Sequence, residues 1–96
     1  MSWQVLLDPR ALKNLDDLDK SVRERIWRFL FERLALLNDP RDVGQALRGS
    51  ELGDLWKYRV GDYRILARIM DREVHVVVVQ VGHRREIYHA YPFDDH

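Results

Sequence analysis

Hydrophobic spacing changes period along this chain, and each change marks an element. Residues 3–7 (Trp-Gln-Val-Leu-Leu) read as a short first strand. Asp8-Pro9 follows as a helix cap and first helical position, opening a short helix to about Leu18. Asp19 is placed to cap a second, longer helix in which Val22, Ile26, Phe29, Leu30, Leu34 and Leu37 recur at helical spacing. Asn38-Asp39-Pro40 stops it. Trp27, Phe31 and Leu36 lie off that stripe, so the helix is apolar around much of its circumference, with one face for the sheet and another for a partner. Residues 41–54 hold Gly44, Gly49 and Gly53 among polar residues and read as an irregular connection with room for one helical turn.

Strands are expected at about 55–60, 63–70 and 74–81. The last is apolar on both faces, so it should be central, and Gly82 should end it. The order βααβββ predicts an α+β fold over residues 1–96, a mostly antiparallel sheet with two helices on one face.

Gly61-Asp62 separates Leu-Trp-Lys-Tyr-Arg-Val from Tyr-Arg-Ile-Leu-Ala-Arg-Ile-Met, the signal of a two-residue II′ or I′ hairpin. In that register Val60 faces Tyr63, Arg59 faces Arg64, Tyr58 faces Ile65 and Lys57 faces Leu66. Trp56, Tyr58, Val60, Tyr63, Ile65, Ala67 and Ile69 then share the core face. Their aromatic rings read as packing rather than as platforms for bases. Lys57, Arg59, Arg64 and Arg68 share the other face. Like charges directly opposite cost stability, so Arg59 against Arg64 calls for an anionic ligand.

Sixteen basic and sixteen acidic residues cancel, so net charge identifies no partner. Their distribution is uneven: from Lys57 to Tyr88, seven Lys or Arg stand against four Asp or Glu, a local basic footprint. With no cysteine there is neither a disulfide nor a thiolate metal site, as suits a cytoplasmic chain. His75, His83 and His89 do not match a metal-ligand spacing, so no metal or cofactor is expected. The start lacks a signal peptide's basic and long apolar regions, and no apolar run reaches the roughly 20 residues that span a bilayer, which leaves no membrane role.

Three segments occur in order: Ala46-Leu47-Arg48-Gly49, the run Leu55–Ile65, and Val81-Gly82-His83-Arg84-Arg85-Glu86-Ile87-Tyr88. With the helix pair upstream, they resemble the RelE/ParE superfamily of bacterial type II toxins from Trp3 to Tyr88. The resemblance implies a compact toxin neutralised by a cognate, RelB-like antitoxin. Two activities occur in the superfamily. The RelE branch cuts mRNA in the ribosomal A site without a metal, using the ribose 2′-OH; the ParE branch poisons DNA gyrase. The RelE functional positions fall on Lys57, Arg59, Arg64, Arg84 and Tyr88. Arg48, Arg68 and Arg85 are further candidates for contact with RNA or the ribosome, although Arg85 alternatively pairs with Glu86.

The chemistry suits the residues. Cleavage by the 2′-OH needs a proton removed, charge stabilised on the phosphoryl oxygens, and a proton given to the 5′-oxygen. Guanidinium groups at Arg59, Arg64 and Arg84 grip phosphate oxygens in a bidentate fork. Arg59 stands where a Lys is common in the family and cannot serve as a base. Proton transfer is left open among Lys57, His83 and Tyr88. His83, beside Gly82, is expected to point toward the cationic face. An antitoxin that masks Arg64 and Arg84 should be acidic there, and Asp94 and Asp95 of the tail are an internal alternative.

Overall fold

The structure, a computed structural model, describes residues 2–47 and 55–90. The first strand, β1 (Gln4–Leu7), leads into helix α1 (Pro9–Asp16). The Asp8 carboxylate accepts from the Arg10 N–H at 2.9 Å, with Pro9 in the first turn, as the Asp-Pro pair predicts.

Helix α2 (Lys20–Arg28) departs from expectation at both ends. Asp19 occupies the cap position but its side chain makes no capping hydrogen bond. The long helix expected to run to Leu37 instead widens to a π-helical turn at Phe29–Arg33 and tightens to a 3-10 turn at Leu34–Leu36. The apolar spacing explains the change. Ile26, Leu30 and Leu34 repeat every four residues, which on an ordinary helix rotates the third about 80° from the first. A wider turn removes that drift, and all three are fully buried.

A 3-10 turn at Pro40–Val43 and a two-residue strand, β2 (Gln45–Ala46), lie in the stretch expected to be irregular. Strands β3 (Leu55–Val60), β4 (Tyr63–Met70) and β5 (His75–His83) follow, then a third helix, α3 (Arg84–Ala90). Sheet order is β1-β5-β4-β3-β2. All neighbours are antiparallel except β1 and β5, which run parallel. Strand β5 is flanked on both sides, as its two apolar faces require, and it runs one residue past Gly82.

The hairpin register is the expected one, Val60 with Tyr63 through Lys57 with Leu66. Gly61 has φ +58° while Asp62 stays outside the left-handed region, which selects the II′ turn over I′. Between β4 and β5 a bulge at Leu66/Ala67 shifts the register. The Val81 N–H, beyond the end of β1, is satisfied by the Asn14 side chain of α1 at 3.0 Å.

The main core lies between α1, α2 and one sheet face. Tyr58, Val60, Ile65 and Ala67 are buried there with Ala11, Leu15, Val76, Val78 and Val81. Trp56, Tyr63 and Ile69, expected on the same face, are half-buried at its margins. Tyr58 donates its hydroxyl to the Pro40 carbonyl at 2.8 Å, and burial pushes its phenol pKa up. Gly44 makes room for that ring: a Cβ there would lie 2.7 Å from Tyr58 Cε1. The opposite face has its own cluster of Leu47, Leu55, Leu66 and Ile87, roofed by α3. The two N-terminal helices thus share one face as expected, and α3, which the sequence pattern did not announce, covers the other.

Candidate functional site

The sheet register assembles the candidate residues in rows. Arg59 pairs with Arg64 and Arg64 with Gly82, so the hairpin tip and the end of β5 lie side by side. One pleat further back are Lys57, Leu66 and Gln80. Arg68 pairs with Val77 at the far end of the strands, away from this cluster. Arg48 and the tail with Asp94 and Asp95 lie outside the described residues.

The fate of the four cations corrects the picture of an open basic face. Arg64 is 1% exposed and Lys57 4%, whereas Arg59 and Arg68 are exposed. Arg64 folds back over the turn, its Nη1 donating to the Gly61 and Tyr63 carbonyls, each at 3.0 Å. These oxygens offset part of its charge, so the cross-strand repulsion has an intramolecular remedy.

Helix α3 begins where β5 stops because the turn anchors it. The Arg84 N–H donates to the Asp62 carbonyl at 2.7 Å. Gly82 lets the helix lie close; a Cβ there would stand 3.2 Å from Ile87 Cδ1. Arg84 and Tyr88, one helical turn apart, share a face and are both exposed. With Arg85 and His89 they line an open depression of about 440 Å³.

His83 takes a place that sequence spacing missed. Its partner in the ladder is Tyr63, whose ring packs against the main core; Gly82, not His83, shares a row with Arg64. The pleat thus turns His83 from the cationic face, and its ring meets Tyr63 edge-on at 5.6 Å. Its Nδ1 accepts from the Arg85 N–H at 3.2 Å, capping the first turn of α3. A neutral ring in that bond carries its proton on Nε2.

A second cationic feature was not anticipated. Arg25, Arg28 and Arg33 of α2 and its π turn face Arg59 across a groove of about 430 Å³ floored by Phe29 and Val60. The signal was present in the spacing of these arginines on one helical stripe, but no sequence rule places that stripe against the hairpin. Trp27, half-buried against the main core, stacks on the exposed Phe31 at 4.9 Å, and Leu12 and Leu36 are exposed as well. That agrees with a second helix apolar on more than one side.

A charged hairpin under a short terminal helix, on an α+β frame, defines a class of small basic-faced proteins. Comparison with known proteins places the chain within it. The family model described as the ParE toxin of type II toxin-antitoxin system, parDE, matches residues 5–88, and the chain belongs to this family of the RelE/ParE superfamily. Toxin RelG of Mycobacterium tuberculosis is 34% identical over 88 residues, covering 92% of this chain and 98% of that protein. The mRNA interferase toxin RelE of Escherichia coli is 34% identical over 90 residues, covering 92% of each. Among solved structures, the toxin-antitoxin complex RelBE2 from Mycobacterium tuberculosis matches with a TM-score of 0.80 at 31% identity, covering 88% of this chain and 93% of that one. The intact E. coli RelBE complex matches at 0.66 and 30%, covering 85% and 96%.

Proposed function

We propose that this chain, as one toxin domain, is a ribosome-dependent endoribonuclease that cuts mRNA in the A site and so halts translation in the cytoplasm. The observation that supports it best is the row Arg59–Arg64–Gly82, with Arg84 tethered beside it through Asp62. In the reaction, the ribose 2′-oxygen bonds to phosphorus and the bond to the 5′-oxygen breaks. The 2′ proton is lost and the 5′-oxygen gains one, leaving a cyclic phosphate and a free 5′-hydroxyl. The exposed Arg59 and Arg84 grip the phosphoryl oxygens, and the buried Arg64 and Lys57 contribute fixed positive charge in a low dielectric. Tyr88, on the same helical face as Arg84, offers a hydroxyl for proton transfer and a ring for a splayed base. His83 serves chiefly as the cap that sets α3. Arg68 and Arg85 contact RNA more peripherally. No metal or cofactor enters these steps. A RelB-like antitoxin, acidic where it covers the exposed Arg84 and Arg59 beside the buried Arg64, holds the toxin inactive.

The test is inducible expression followed by primer extension on an abundant translated mRNA. New cuts that vanish when the start codon is removed support the reading. Arg84→Ala should lower cleavage about 10²–10³-fold, the cost of removing one oxyanion donor, and Arg64→Ala should lower it about tenfold or more through loss of the fixed charge behind it. Full cleavage by correctly folded variants would sink the assignment.

A second reading is favoured by the matching family model itself, that of the ParE toxin. On it the chain inhibits DNA gyrase by binding, with no chemistry of its own. Intact mRNA with altered plasmid supercoiling would select it, because a shared fold does not fix function.

A further inference from the structure

Helix α3 is seven residues long and carries both Arg84 and Tyr88. A helix that short does not persist in water by itself, so its place depends on what anchors it. Its buried residue, Ile87, sits against Gly82 and the cluster of Leu47, Leu55 and Leu66. Two main-chain N–H groups at its start find acceptors: Arg84 donates to the Asp62 carbonyl at 2.7 Å, and Arg85 to His83 Nδ1 at 3.2 Å. Only the second acceptor can take up a proton. A main-chain N–H can only donate, so Nδ1 accepts and the ring is neutral while this bond is made. Protonation places a hydrogen on Nδ1 and leaves two donors facing each other. Turning the ring over gives no relief, because both nitrogens of an imidazolium are donors.

We infer that His83 makes the seating of α3 sensitive to pH, a switch that loosens the start of the helix when the imidazole takes up a proton. The seated helix needs a neutral ring and the loosened one does not. The loosened state therefore binds more protons, so seating is secure above histidine's titration range and weakens as pH falls through it. Charged groups surround this end of the sheet. Arg84 and Arg85 on α3, Arg25 of α2 lying against Gly61, and Lys13 near the end of α1 oppose an imidazolium. Glu86 on α3, Asp62 in the hairpin turn, and Asp16 and Asp17 beyond Asn14 act the other way. On β4 the neighbour is the aromatic ring of Tyr63, while Arg64 lies on the opposite face of the sheet. Arg84 and Tyr88 ride on α3, so acid unsettles both together and leaves Arg59 and Arg64 of the hairpin in place. The inference concerns how the helix is held and does not rest on the nuclease reading.

The test is amide exchange of the purified full chain, read residue by residue by NMR from about pH 8 to pH 5. Rates are converted to protection factors, which removes the intrinsic pH dependence of exchange. Protection at Arg85 and along α3 should fall about fivefold toward acid, the loss of one cap, while that of β5 holds. His83→Asn keeps an acceptor that does not titrate, so its α3 should stay protected across the range. His83→Gln, whose amide reaches too far, should match acidified wild type at every pH. Flat protection in the wild-type chain would overturn the inference. An equal fall in His83→Asn would overturn it too, moving the titration to Glu86 or His89. So would a fall shared by β5, which marks acid unfolding of the whole chain. None of these readouts depends on cleavage, so a failed mRNA assay leaves the switch standing.

Discussion

The two faces of the sheet solve opposite problems. Toward α1 and α2, the face is apolar across β1, β5, β4 and β3, and the deeply buried Tyr58 hydroxyl ends on the Pro40 carbonyl. Toward α3, Leu47, Leu55 and Leu66 meet Ile87 of the seven-residue helix above them, beside a buried arginine and a buried lysine. Burying charge costs free energy unless it is satisfied. The first face holds the fold together; on the proposed nuclease reading the second keeps cations where phosphate chemistry needs them. Stability and function are then divided between faces of one sheet rather than between domains.

Truncation tests that division most strongly. Leu30→Ala, in the main core, should cost about 2–5 kcal/mol of global stability by denaturant unfolding. Ile87→Ala, on the other face and equally buried, should chiefly raise hydrogen exchange in α3 and leave the exchange of β5 nearly unchanged. If both variants unfolded the chain to the same extent, the two faces would be one cooperative unit and the distinction would collapse.

The His83 cap sharpens the comparison at its seam. In His83→Asn the amide oxygen can replace Nδ1 and accept from the Arg85 N–H, whereas His83→Gln places its amide too far out. We expect His83→Gln to lose about 0.5–2 kcal/mol relative to His83→Asn, with the loss confined to protection of α3. Should His83→Asn abolish mRNA cleavage with α3 fully protected, the ring has a chemical role beyond capping.

Strain outside both faces gives a smaller effect. Val74 has φ +56°, a conformation β-branched residues rarely adopt, and its carbonyl accepts from the Gln4 N–H where β1 begins. Asn tolerates that region, so Val74→Asn should stabilise the chain by up to about 1 kcal/mol without altering cleavage. A fall in melting temperature would show that the half-buried valine side chain matters more than its backbone.

The smallest effect lies at the β4–β5 turn. The Arg41 guanidinium donates to Asp71 at 2.7 Å and holds its carboxyl below the ordinary aspartate value. A carboxyl depressed in the folded state stabilises above its unfolded value and loses that contribution as pH falls through the folded one. An NMR titration should therefore place the Asp71 midpoint below 3.8, and Arg41→Gln should bring it back toward that value. An unchanged midpoint would mean the ion pair is absent in solution.

Local chemistry was legible in the sequence. Asp8-Pro9 starts α1, Gly61-Asp62 turns the hairpin, and alternation sets which side chains share a face, because each depends on residues a few positions apart. The family resemblance likewise rested on short motifs. Tertiary structure decided what happens to charge on a shared face. Arg59 and Arg64 are cross-strand neighbours of the same type, yet one is exposed and the other is folded onto turn carbonyls. It also decided the parallel pairing of β1 with β5, the widening after Arg28 and the seat of α3 against Gly82. Burial and pairing across distant segments are set by which surfaces remain to be covered once the local elements exist. A linear pattern carries the elements but not that choice.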